Sequence, residues 1–122
     1  MEVLINTPGQ TFYSSSIDEL LNYCEEKDNC AVIIFHADVN DFIEKLNDKI
    51  NSCVSQLIVI ADNVDDVIAK ASDKDLLIIS AINIKDAIQI ALNSSAMCKD
   101  VICVSNIESS KNFTDMVEMV II

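Results

Sequence analysis

The stretch Gln56-Leu57-Ile58-Val59-Ile60-Ala61, running straight into Asp62-Asn63, decides the fold. Its apolar residues are continuous, not alternating, which is how a strand reads when helices cover both faces of its sheet. Four more runs read the same way: Val3 to Asn6, Ala31 to His36, Leu76 to Ala81 and Val101 to Asn106. A parallel sheet is the economical explanation. Ile33, Ile34, Ile58, Val59, Ile78 and Ile79 are then expected nearly fully buried in central strands.

Helical patterns fill the intervals. Ser16-Ile17-Asp18-Glu19 is a capping box, after which Ile17, Leu20, Leu21 and Cys24 recur at helical spacing, so the first helix is expected over about 16–27. Val39, Phe42, Ile43, Leu46 and Ile50 form one stripe, with Asp41, Glu44, Lys45, Asp48 and Lys49 opposite, and predict the longest helix. A third helix follows a cap at Asp62 or Asn63 and buries Val64, Val67, Ile68 and Ala71. Asp65 and Asp66 fall in its first turn, where the helix dipole favours negative charge. A fourth starts at Asn83 and buries Ile84, Ala87, Ile88 and Ala91. The final segment reads two ways. Asn112 to Met119 is a closing helix, or Met119 to Ile122 is a sixth strand at the sheet edge.

Strand and helix thus alternate along the chain with short connections. This is the signature of a three-layer, Rossmann-like or flavodoxin-like α/β domain with a mostly parallel sheet of five or six strands and right-handed crossovers. The 122 residues, 51% of them hydrophobic, are expected to form one domain, 1–122, with a core that needs neither disulfide nor metal.

Twenty Asp and Glu against eight Lys and no Arg give a net charge of −12, which repels nucleic-acid phosphates and anionic membranes. No apolar run reaches the roughly 20 residues of a membrane span, and no basic leader opens the chain. Five cysteines, Cys24, Cys30, Cys53, Cys98 and Cys103, include no C-x-x-C pair, so neither a disulfide ladder nor a zinc knuckle is legible. Buried thiols fit a reducing compartment, and a soluble cytoplasmic protein is expected.

Ligands of open α/β sheets bind beyond the carboxyl ends of the strands. Those ends place Thr7, Gly9 and Gln10 after the first strand, His36 and Asp38 after the second, Asp62 and Asn63 after the third, Ser80 at the fourth and Ser105 after the fifth. This polar rim reads either as a small-ligand site or as the turn and cap residues that any such fold needs. The connection Thr7 to Ser16 is the longest and holds the only Gly and the only Pro. One glycine makes neither G-x-G-x-x-G nor a phosphate loop, and without arginine there is no bidentate anion clamp. His36 is the only histidine, and a His–Asp constellation would draw on Asp38 or Asp62. Neither Ser80 nor Ser105 lies in a G-x-S-x-G turn. No catalytic residue, metal site or cofactor is therefore assigned.

The order of these segments resembles the C-terminal domain of the Mur ligases, the ATP-dependent amide ligases of peptidoglycan precursor synthesis. The likeness runs through Val3-Leu4-Ile5-Asn6 and its polar loop, the helix start Ile17-Asp18-Glu19-Leu20-Leu21 and the strand ending in Asp62-Asn63. It continues in the helix with Asp86-Ala87-Ile88, the strand Asp100-Val101-Ile102-Cys103-Val104-Ser105 and the turn Ser109-Ser110-Lys111-Asn112-Phe113. The family's glycine-rich basic segment is replaced here by His36-Ala37-Asp38-Val39-Asn40, and its central ATP-binding domain has no counterpart in this chain. The resemblance implies a detached domain that ligates nothing by itself. Response-regulator receiver domains are similar in length and rhythm, but Asn6-Thr7 and Ser105-Asn106 stand where that family has acidic residues and lysine, and only Ser80 matches its hydroxyl position.

These readings combine into a non-catalytic binding or protein-interaction module. Its rival is a site for a nucleotide- or amino-acid-derived small molecule at the strand ends, or a ligase-like accessory subunit. The apolar segment Val117, Met119, Val120, Ile121 and Ile122 is the expected surface for a homodimer or a protein partner.

Overall fold

A computed structural model describes residues 2–24, 29–46, 48–93, 98–104, 113 and 115–120. Its elements in chain order are β1 (Glu2–Asn6), β2 (Thr11–Ser15), α1 (Ile17–Cys24), β3 (Cys30–Phe35), α2 (His36–Glu44) and α3 (Asp48–Cys53). They continue with β4 (Val54–Ile60), α4 (Asp65–Lys70), β5 (Ile78–Ala81), α5 (Ile84–Asn93) and β6 (Asp100–Val104). A last helix covers 115–120.

The six strands form one sheet in the order β1-β2-β6-β3-β4-β5. All neighbours are parallel except β1 and β2, which form an antiparallel hairpin. Alternate strand residues feed two cores, as a period-two chain demands. Cys30, Val32 and Ile34 of β3 pack with Leu20, Val39, Phe42, Ile43 and Val67 from α1, α2 and α4. Ala31 and Ile33 face the other way, onto Ala87, Ile88 and Ala91 of α5 and onto Phe113 and Val117. The chain steps from β3 to β4 to β5 with its helices on the first face, then returns to β6 with α5 on the second. Reversing direction while changing face keeps all crossovers to one hand. The result is a three-layer α/β domain.

Three expectations are corrected. The sixth strand is neither loop nor C-terminus but Thr11–Ser15, inside what reads as the long connection Thr7 to Ser16. Its sequence, Thr-Phe-Tyr-Ser-Ser, has high β-propensity but only two large apolar side chains, too few to register as a buried run. Of the two readings of the final segment the closing helix holds over 115–120 and the edge strand is corrected, since Met119 and Val120 are helical, while Ile121 and Ile122 lie outside the described residues. The single long helix after β3 is two: α2 stops at Glu44, where Leu46 N–H donates to Ile43 O in a tightened last turn, and α3 begins at Asp48.

The expected core divides as the strand order dictates. Ile33, Ile34, Ile58 and Val59 are inaccessible to solvent. Ile78 and Ile79 are only half-buried, because β5 is the sheet's edge and not a central strand.

Candidate functional site

Because β1 is antiparallel, its carboxyl end points to the opposite pole of the sheet from those of the other five strands. Thr7, Gly9 and Gln10 therefore sit beside the amino ends of β2 and β6, apart from His36, Asp38, Asp62, Asn63 and Ser80. Thr7 closes the hairpin: its Oγ1 donates to Gln10 O at 2.9 Å and accepts from Gln10 N–H at 3.1 Å. Gln10 is buried, and its amide donates to Ala91 O at 2.8 Å and Cys98 O at 3.0 Å. Gly9 is exposed and its φ is not positive, so the turn itself does not require glycine.

At the other pole, β6 lies between β2 and β3, and Phe113 and Val117, which follow it in the chain, pack on the face opposite to α1 and α2. This arrangement is the switch point at which open α/β sheets form clefts. A cleft of about 240 Å³ lies there, lined by Ser16, Ile17, Asp18, Asp38, Asp41, Lys45 and Val104. Lys45 Nζ reaches Asp18 Oδ1 at 3.3 Å and Asp41 Oδ2 at 3.5 Å. The hydrogen bond to Asp18 and the charge of both aspartates raise the Lys45 ammonium above its usual value, so it is a fixed cation and not a nucleophilic amine. The capping box forms reciprocally, Glu19 N–H to Ser16 Oγ at 3.2 Å and Ser16 N–H to Glu19 Oε1 at 3.3 Å. Those N-terminal donors of α1 are engaged within the chain.

His36 Nε2 meets Asp66 Oδ2 at 2.7 Å, tying the start of α2 to the start of α4. Asp38 and Asp62, the expected partners, are not the ones used. Two residues along a helix, Asp38 lies about 200° round from His36 and cannot face it. Asn63 Oδ1 instead accepts from Asp65 N–H at 2.7 Å, an Asx turn just ahead of α4; the N-cap of that helix is Val64, which caps with no side-chain hydrogen bond, and not Asp62 or Asn63 as expected. Ser80 is exposed on β5, two strands from β3 and so about 10 Å from His36 across the ladder, beyond hydrogen-bond reach. Ser105 lies outside the described residues. The hydrogen bond from His36 holds the Asp66 carboxyl below its usual value. A depressed acid contributes above the ordinary carboxylate range, and the contribution is lost as pH falls through the depressed value. In His36→Ala, a carboxyl-detected NMR titration should find Asp66 moved up toward an ordinary aspartate.

Thiol chemistry is disfavoured at Cys103, within β6. Complete burial pushes the Cys103 thiol up to about 12, far from a thiolate at neutral pH. Among the described residues no three His, Cys, Asp or Glu side chains are grouped to hold a metal ion. No helix in the described residues is long and apolar enough to cross a membrane.

Sequence reasoning missed four contributors to this pole: Asp18, Asp41, Lys45 and Asp66. Their positions on outer helix faces were legible, and the Asp41–Lys45 spacing of four residues was a local signal. The Lys45–Asp18 and His36–Asp66 pairs join different helices, so nothing local in the sequence reports them. No protein-family model matches the sequence, and no curated protein is significantly similar to it.

Proposed function

We propose that this chain is a non-catalytic binding or protein-interaction module of the α/β type that resembles the C-terminal domain of Mur ligases. One observation carries the reading: the charged groups Lys45, Asp18 and Asp41, and His36 and Asp66, are engaged with one another at the carboxyl pole, whereas large apolar side chains elsewhere on the surface stand in solvent. Leu77 and Ile82, at the two ends of edge strand β5, are 54% and 72% exposed, and Met119 is 76% exposed on the C-terminal helix. Val117 anchors that helix in the chain's own core and turns Met119 outward. Exposed apolar side chains of this size suit a protein partner or a second copy better than a phosphate or a sugar.

Light scattering over a concentration series tests the surface. A dimer that becomes a folded monomer in Met119→Glu is the expected result for self-association through the C-terminal helix. A wild-type chain that is monomeric throughout removes the homodimer.

The cleft lined by Asp18, Asp38, Asp41 and Lys45 favours a second reading, a small-molecule site at the strand ends. A thermal-shift panel of nucleotides and amino acids separates the two, since a ligand at ~100 times its dissociation constant stabilises by about 2.7 kcal/mol. The interaction module should show no such shift and no ATP turnover above background. A shift abolished by Asp38→Asn or Lys45→Met would establish the cleft as the site instead.

A further inference from the structure

Cys30 and Cys53 place their sulfur atoms 3.6 Å apart inside the first core, with both residues almost inaccessible to solvent. A shift in strand register makes this contact. Ala31 stands opposite Gln56, so an unbroken ladder would set Cys30 opposite Ser55 and leave Cys53 two residues further along. Strand spacing and rise would then separate the two Cα atoms by about 8 Å, beyond the reach of a disulfide. The irregularity between Cys30 and Ala31 instead pairs Cys30 with Val54, one residue from Cys53. The same spacing and rise now bring the Cα atoms to about 6 Å, within the range of roughly 4.4–6.8 Å that disulfides span.

From this geometry we infer that Cys30 and Cys53 are a redox site: a pair of thiols set to close into a reversible disulfide that staples residues 30–53. The reaction takes a small-molecule disulfide as oxidant. One cysteine loses its proton and attacks the oxidant, releasing one small thiol. The second cysteine loses its proton and displaces the other, so the protein gives up two hydrogens and the oxidant becomes two thiols. Both residues lie at element ends, Cys30 first in β3 and Cys53 last in α3, where local opening exposes a thiol at the lowest cost. Cys103 and Cys98 belong to the core on the other side of the sheet and cannot join the pair without unfolding. The staple would tie β3 to α3 across α2, removing chain freedom from the unfolded state.

The test uses the wild-type chain with glutathione disulfide in native buffer, read by intact mass and a non-reducing peptide map. The expected product has lost the mass of two hydrogens, retains no glutathione, shows a Cys30–Cys53 cross-linked peptide, and has a higher denaturation midpoint that dithiothreitol reverses. Cys103→Ala should oxidise like the wild type; Cys30→Ala and Cys53→Ala should not. Because the map of the wild-type chain is decisive, a variant that folds poorly does not weaken the test. Glutathione retained on either cysteine, a native cross-link to Cys24, Cys98 or Cys103, or an unchanged wild-type mass overturns the inference.

Discussion

Ile33→Ala is expected to cost about 2–5 kcal/mol, toward the upper end, because the side chain is wholly buried in β3 and little around it can collapse into the space. β3 has strands on both sides and helices on both faces. Domains of this size have total stabilities of about 5–15 kcal/mol, so the loss is a large fraction of what holds the fold. Ile78→Ala, half-buried on edge strand β5, should cost less than half as much. Guanidinium denaturation of both variants gives the comparison directly. Equal losses at the two positions would contradict the strand order, and a loss below about 1 kcal/mol at Ile33 would contradict a two-sided sheet.

Gln10→Ala should be nearly as damaging, at about 2–4 kcal/mol, for a different reason. The Gln10 amide donates to Ala91 O in the last turn of α5 and to Cys98 O just before β6. The carbonyl of Ala91 belongs to a helix end, which has no partner within the helix. Removing the amide leaves two buried carbonyls without these donors and opens a gap beneath the hairpin. Gln10→Glu should be no better, since a carboxylate would face two carbonyl oxygens. Thr7→Val, at the partly exposed turn, should cost only about 1 kcal/mol. If Gln10 served a ligand instead, its alanine variant would unfold at the same denaturant concentration as the wild type.

Gln10 also shows why part of the candidate site misleads when read along the chain. Thr7, Gly9 and Gln10 follow an apolar run, and after a parallel strand they would join His36 and Asp38 on one rim. The deciding fact is the direction of β1, and an apolar run of four residues carries no sign of direction. That direction follows from β2, whose Thr, Tyr and Ser side chains hide a strand that is buried only where Phe12 and Ser15 point inward. His36 illustrates the complementary case. Its place at a strand end was legible, because Phe35 closes an apolar run and the helical stripe begins at Val39. Its partner was not, since Asp66 lies thirty residues away and becomes adjacent only when α2 and α4 start side by side.

By itself the sequence determined the fold class, the location of most strands, the capping box at Ser16 and Glu19, and the burial of Ile33, Ile34, Ile58 and Val59. Each of these rests on local periodicity and local hydrogen-bond chemistry, which are properties of neighbouring residues. Only the tertiary structure decided that β6 returns between β2 and β3, that β5 ends as an edge, that α2 and α3 separate at Leu46, and that Lys45 meets Asp18. The same holds for the register shift that sets Cys30 beside Cys53. Strand order, register and contacts between helices depend on which distant surfaces bury one another, and that choice belongs to the whole chain and not to any window of it.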